Sequence, residues 1–161
     1  MPVTDVRKDH DALTLTVEAA FDRPVDDVWE IWADPRKLER WWGPPTYPAT
    51  FVQHDLTPGS TTTYFMTGPE GDRHHGWWRI TAVDAPTHLV FDDGFGDADG
   101  NPDPTMPVMV IEVTLAATDT GTAMTTVTRF PSSEEMARII EMGMEEGLTA
   151  AMGQIDGVLA G

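Results

Sequence analysis

The chain has 161 residues, with 27 Asp and Glu against 10 Lys and Arg and a formal charge of −17. Such a surface repels phosphate backbones and anionic lipid heads, which argues against nucleic acid and membrane-surface partners. Cysteine is absent, so disulfides, thiolate metal sites and a cysteine nucleophile are excluded.

The first patterned segment alternates Leu13, Leu15, Val17, Ala19 and Phe21 with Thr14, Thr16, Glu18 and Ala20, the signature of a strand with one buried face. Pro24 suits the first turn of a helix, and Val25, Val28, Trp29 and Trp32 follow at helical spacing. Asp34-Pro35 opens a second short helix carrying Leu38, Trp41 and Trp42, which Gly43-Pro44-Pro45 ends. Six strands are then expected: Ala49–His54, Thr61–Met66, His74–Val83, His88–Asp92, Val108–Leu115 and Ala123–Phe130. Short turns join most of them, which implies an antiparallel meander. Ser132 and Glu135 have the spacing of a capping box. Beyond them Met136, Ile139, Ile140, Met144, Leu148, Met152, Ile155 and Leu159 share one helical stripe, predicting a single helix of about 27 residues.

The stripe of that helix must be buried, and the one large apolar surface on offer is the concave face of a twisted sheet. Glycines at 143, 147, 153 and 157 each cost the helix about 1 kcal/mol relative to alanine. They fit close helix–sheet packing, and together with Met136, Met142, Met144 and Met152 they also fit a cavity with soft walls. Composition alone favours packing. The six tryptophans come as Trp29/Trp32, Trp41-Trp42 and Trp77-Trp78, and neighbours on a strand must diverge to opposite faces.

The order of elements, with Asp22-Arg23-Pro24-Val25-Asp26-Asp27-Val28-Trp29, Trp32-Ala33-Asp34-Pro35 and Leu38-Glu39-Arg40-Trp41-Trp42-Gly43-Pro44, resembles homologues of the heat-shock chaperone ATPase activator. Asp55-Leu56-Thr57-Pro58-Gly59-Ser60 is similar to that family's Asp-x-x-Pro-Gly-Gly turn, with Ser60 in place of the second glycine. Ala85-Pro86-Thr87-His88-Leu89-Val90 and Gly143-x3-Gly147-Leu148 extend the likeness, which runs from about Leu13 to Leu159. The resemblance implies the START-like (SRPBCC) superfamily and its α+β helix-grip fold. A curved antiparallel sheet of about seven strands would wrap a long C-terminal helix, with two short helices after strand one and a cavity for an apolar molecule. Residues 1–161 would form a single domain, with its core at about 13–159. Fold likeness by itself names no function.

Motifs for established chemistries are missing. No GxxxxGK[ST] or GxSxG occurs, and Gly94-x-Gly96-x3-Gly100 has the wrong spacing for a dinucleotide loop. His10, His54, His74, His75 and His88 form no metal-binding spacing, and the acidic stretch Asp92–Asp103 fails the calcium-loop pattern. No metal and no cofactor are expected. A cluster of Tyr64, His54, His75, His88 and Asp92 comes from neighbouring strands, and any inward member could orient a ligand or move a proton. The expected walls of a ligand site are Trp29, Trp41, Tyr64, His75, Trp77, Met109, Met144, Leu148 and Met152, with no catalytic residue assigned.

The leading expectation is binding of a small hydrophobic or amphipathic molecule between sheet and helix. The alternatives are a polyketide cyclase- or aromatase-like or hydrolytic enzyme using a cavity His or Tyr, and a module that stimulates a chaperone ATPase. The acidic surface gives the last no particular support, so a chaperone partner is disfavoured, while homodimerisation stays open. No apolar run approaches the ~20 residues that span a bilayer. No signal-peptide pattern is visible at the polar N-terminus, so a cytoplasmic location is expected.

Overall fold

The computed structural model describes residues 2–161. A strand pair, β1 (Val3–Asp9) and β2 (Thr14–Phe21), leads into two helices, α1 (Val25–Ala33) and α2 (Pro35–Leu38). Six strands follow: β3 (Ala49–Gln53), β4 (Thr61–Thr67), β5 (Arg73–Asp84), β6 (His88–Phe95), β7 (Met109–Ala117) and β8 (Thr122–Arg129). The chain ends in α3 (Ser133–Glu141), α4 (Met144–Met152) and α5 (Ile155–Ala160). All eight strands form one antiparallel sheet in the order β1-β2-β8-β7-β6-β5-β4-β3. This is the helix-grip arrangement, an α+β fold.

Strands β3 to β8 are the meander that the turns imply. Its free end at β8 takes up β2 through the register Leu15↔Thr128, Val17↔Thr126 and Ala19↔Met124. That register sets Leu15, Val17, Ala19 and Phe21 on the buried face, where they are fully enclosed. A one-residue slip would turn all four to solvent, so burial fixes the pairing.

The sheet has eight strands rather than about seven. The additional one, β1, carries only Val3 and Val6 as half-buried apolar residues and is otherwise exposed, so it lacks the alternation that marks a strand. Backbone pairing with β2, through Val6↔Val17 and its neighbours, holds it at the sheet edge.

The helical tail is three helices rather than one. Ser132 caps α3 as its spacing implies, its Oγ accepting from the Glu135 N–H at 3.1 Å. The first break falls at Gly143, whose φ of +98° lies in the left-handed region that favours glycine. The second falls at Gly153-Gln154, between α4 and α5. The pieces differ in how closely they meet the core. Met136 and Ile139 of α3 and Ile155 and Val158 of α5 are buried, whereas Met144 and Leu148 on α4 are only half-buried.

Under α1 and α2 lies an aromatic cluster. Trp78 stacks on Phe91 at 4.0 Å between centroids, and Trp32 meets Trp41 edge-on at 4.8 Å. Trp41 donates from Nε1 to the Ile31 carbonyl at 2.9 Å, closing the turn between α1 and the segment after α2. His54 is held the same way, its Nε2 donating to the Trp32 carbonyl at 2.7 Å and its Nδ1 accepting from Thr62 at 2.9 Å. Burial lowers the His54 pKa, which favours the neutral ring.

Candidate functional site

A cavity of about 290 Å³ lies between the sheet and the first half of α4. Its floor comes from strand positions of one parity: Tyr64 and Met66 on β4, Asp93 and Phe95 on β6, Met109 and Ile111 on β7, and Thr126 on β8. The opposite wall is Ile139, Met142, Met144 and Leu148, with the glycines at 143 and 147 between them. Trp42 and Pro44, just after α2, close one end. Met142 is 59% exposed and stands at the rim. The empty space is created by what α4 lacks: a Cβ at Gly147 would meet nothing within 4 Å.

One carboxylate stands on this apolar floor. In β6 the residues Leu89, Phe91, Asp93 and Phe95 share a face, and the first two are wholly enclosed. Asp93 pairs across the sheet with Trp78 on one side and Met109 on the other. Removal from water raises its pKa to about 7, and the neighbouring Tyr64 hydroxyl offsets this only in part. Burial, and after it the Asp93 charge, pushes the Tyr64 phenol well above its ordinary value. Tyr64 packs flat against Phe51 at 4.8 Å and over Gly76, where a Cβ would stand 2.4 Å from its ring. The buried Nε1–H groups of Trp42 and Trp78 reach no hydrogen-bond partner among the described residues. The Thr126 hydroxyl on the cavity floor is also unpartnered.

The structure brings four of the sequence-expected wall residues to this cavity: Tyr64, Met109, Met144 and Leu148. The other five stand elsewhere. Trp77 and His75 project from the outer face, because on β5 it is Gly76, Trp78 and Ile80 that point inward. The Trp77 indole covers Gly94 and donates to the Phe95 carbonyl at 3.1 Å, while His75 packs beside Phe65 at 5.8 Å. Trp29 and Trp41 are buried within the helical layer, and Met152 is buried beyond the cavity at the end of α4.

Sequence reasoning missed Asp93, Trp42 and Thr126. Asp93 was within reach. Had the β6 alternation been carried past Asp92 to Phe95, it would have set a carboxylate on the core face. Asp92 itself points outward, opposite the exposed Arg79. The remaining histidines also lie away from the cavity. His88 meets Glu112 at 2.7 Å on the outer face, where Arg129 joins the same carboxylate at 3.1 Å. Among the described residues, no three His, Asp or Glu side chains gather as a metal site would require.

The model of the family described as "Activator of Hsp90 ATPase homolog 1-like protein" matches residues 22–160. The chain belongs to this family. Solved structures of other bacterial proteins are also similar to this chain over nearly its whole length. Protein Ms6760 of Mycobacterium smegmatis is 50% identical, with a TM-score of 0.90 over 98% of this chain and 97% of that one. A protein of Arthrobacter aurescens is 49% identical, with a TM-score of 0.95 over 98% of this chain and 92% of that one. Protein NE0264 of Nitrosomonas europaea shares the fold at 24% identity, with a TM-score of 0.80 over 92% and 95% of the two chains. No curated protein matches significantly. Among the described residues, no helix is long and apolar enough to cross a membrane.

Proposed function

We propose that the protein binds a small amphipathic molecule in the cavity between the sheet and α4. One observation carries this reading: an unfilled apolar space holds a carboxyl group and an unpartnered hydroxyl on its floor. Folded proteins satisfy nearly all their buried polar groups, and the exceptions call for an explanation. A guest that covers the apolar walls and hydrogen-bonds the floor supplies one. The volume suits it, since an apolar cavity of ~150 Å³ accepts benzene and this one is about twice as large.

The test is thermal unfolding and tryptophan fluorescence of the whole protein with a panel of small aromatic and aliphatic alcohols, amines and hydrocarbons. A bound guest at a hundred times its Kd stabilises the folded state by about 2.7 kcal/mol. Trp42 on the wall gives the fluorescence readout. Gly147→Phe, which directs a ring into the open space, removes the response while the protein stays folded. A panel that leaves both signals flat refutes the reading. Acid–base catalysis by a cavity histidine finds no residue here, because His54 is held by Trp32 and Thr62 and His75 lies outside.

A further inference from the structure

The chemistry of the cavity floor narrows the guest to one class. Among the described residues, Asp93 and Tyr64 are the ionisable groups on the cavity wall. No Lys, Arg or His contributes to the lining, so the carboxylate has no cationic partner among the described residues. The elements around it present apolar or neutral groups: Trp78 from β5, Met109 from β7, Thr126 from β8, and Ile139 and Met144 from the helices. On α4, Glu145 is engaged away from the cavity with Lys8 at 2.7 Å. Asp93 is half-buried, and a carboxylate drawn out of water is stabilised either by taking up a proton or by pairing, so the ionised form favours a cation that arrives with the guest.

The surroundings suit an ammonium group. Trp42 and Tyr64 stand perpendicular, 88° apart with centroids 6.4 Å from one another, and form an aromatic corner on the wall beside Asp93. Aromatic faces attract cations, most strongly where water is excluded. The whole-chain charge of −17 raises the local concentration of cations around the molecule. An anionic guest meets the opposite on both counts.

We propose that the cavity takes a small apolar amine, its ammonium paired with the Asp93 carboxylate in the corner of Trp42 and Tyr64 and its hydrocarbon body against Met109, Met144 and Leu148. The inference rests on the cavity being a binding site and names the class of molecule it selects.

Three probes of one size separate the outcomes: 2-phenylethylamine, 2-phenylethanol and phenylacetate, titrated into the protein at pH 7.5 by calorimetry and tryptophan fluorescence. The amine is expected to bind at least tenfold more tightly than the alcohol, and phenylacetate more weakly than either. In Asp93→Asn the ratio of amine to alcohol falls to about one while alcohol binding persists, which also shows that the variant is folded. Amine affinity rises between pH 5.5 and 8, as the carboxyl ionises, whereas alcohol affinity does not. Equal binding of amine and alcohol by the native protein overturns the inference and leaves the cavity reading standing. So does an amine preference that survives in Asp93→Asn. If none of the three probes binds, the cavity reading falls and this inference with it.

Discussion

At the scale of single residues, Asp93 dominates. Its folded-state pKa of about 7 lies above the 3.8 of a free aspartate, so the folded protein holds a proton that the unfolded chain releases. Stability from this group is therefore complete below about pH 4, declines as pH rises, and is lost above about pH 7. Each pH unit between the two values corresponds to about 1.4 kcal/mol. Contact with the cavity reduces the sum to on the order of 2 kcal/mol. Asp93→Asn should accordingly match the native protein near pH 4 and exceed its stability at pH 8, as denaturant melts at the two pH values will read. Gly76→Ala acts on the same floor from beneath. Its Cβ would stand 2.4 Å from the Tyr64 ring, so the ring must move, and overpacking of this kind costs about 1–3 kcal/mol. Thermal melts will measure that loss, and the same variant should weaken binding of any cavity probe.

The sequence yields such residues unevenly. Tyr64 is legible as the aromatic of a short β-propensive run, and with Thr62 it is one of the two buried positions of β4, their neighbours being half-buried. Trp77 and Trp78 are legible only as a pair. Nothing local says which of the two points inward; the pairing of Gly76 with Tyr64 decides it. Asp93 hides for a different reason. A carboxylate at the end of an apolar run reads as the point where a strand leaves the core, and here the strand continues to Phe95.

At the scale of elements, α4 behaves unlike its neighbours. Gly147 sits mid-helix with open space where a side chain would be, so Gly147→Ala should raise stability by about 1 kcal/mol through helix propensity alone. Gly143→Ala should do the reverse by about 1–2 kcal/mol, because φ of +98° is strained for any residue with a Cβ. Urea melts of the two variants check both signs. The helical stripe from Met136 to Leu159 was readable at its true length, but its division into three was not. Periodicity survives a break of one or two residues, and glycine at 143, 147, 153 and 157 looks alike in sequence. Only at 143 does the backbone take the left-handed conformation that ends a helix.

At the scale of the whole molecule, the meander and its turns were legible because each connection is local. The closure of β2 on β8 was not. It joins residues more than a hundred positions apart, and no short-range pattern encodes it. The charge also acts at this scale. With 27 acids against 10 bases, self-repulsion opposes the compact state, and salt screens it over a Debye length of ~10 Å at 0.1 M. Raising sodium chloride from about 0.02 to 0.5 M should lift the melting temperature by roughly 2–4 °C, the equivalent of about 1 kcal/mol for a chain of this size.

The two glycine joints that flank α4 bear on kinetics as well as on shape. Its neighbours are anchored by Met136 and Ile139 on one side and Ile155 and Val158 on the other. The second half of α4 is held as well, by Ala151 and Met152, so the lightly seated first half can move about Gly143 while the rest of the helix stays in place. Departure of a guest then needs one local fluctuation and no global unfolding, so residence times should follow the exchange rate of the α4 amide hydrogens. Those amides are expected to exchange faster than the ones in α3, and to slow once the space beneath them is filled.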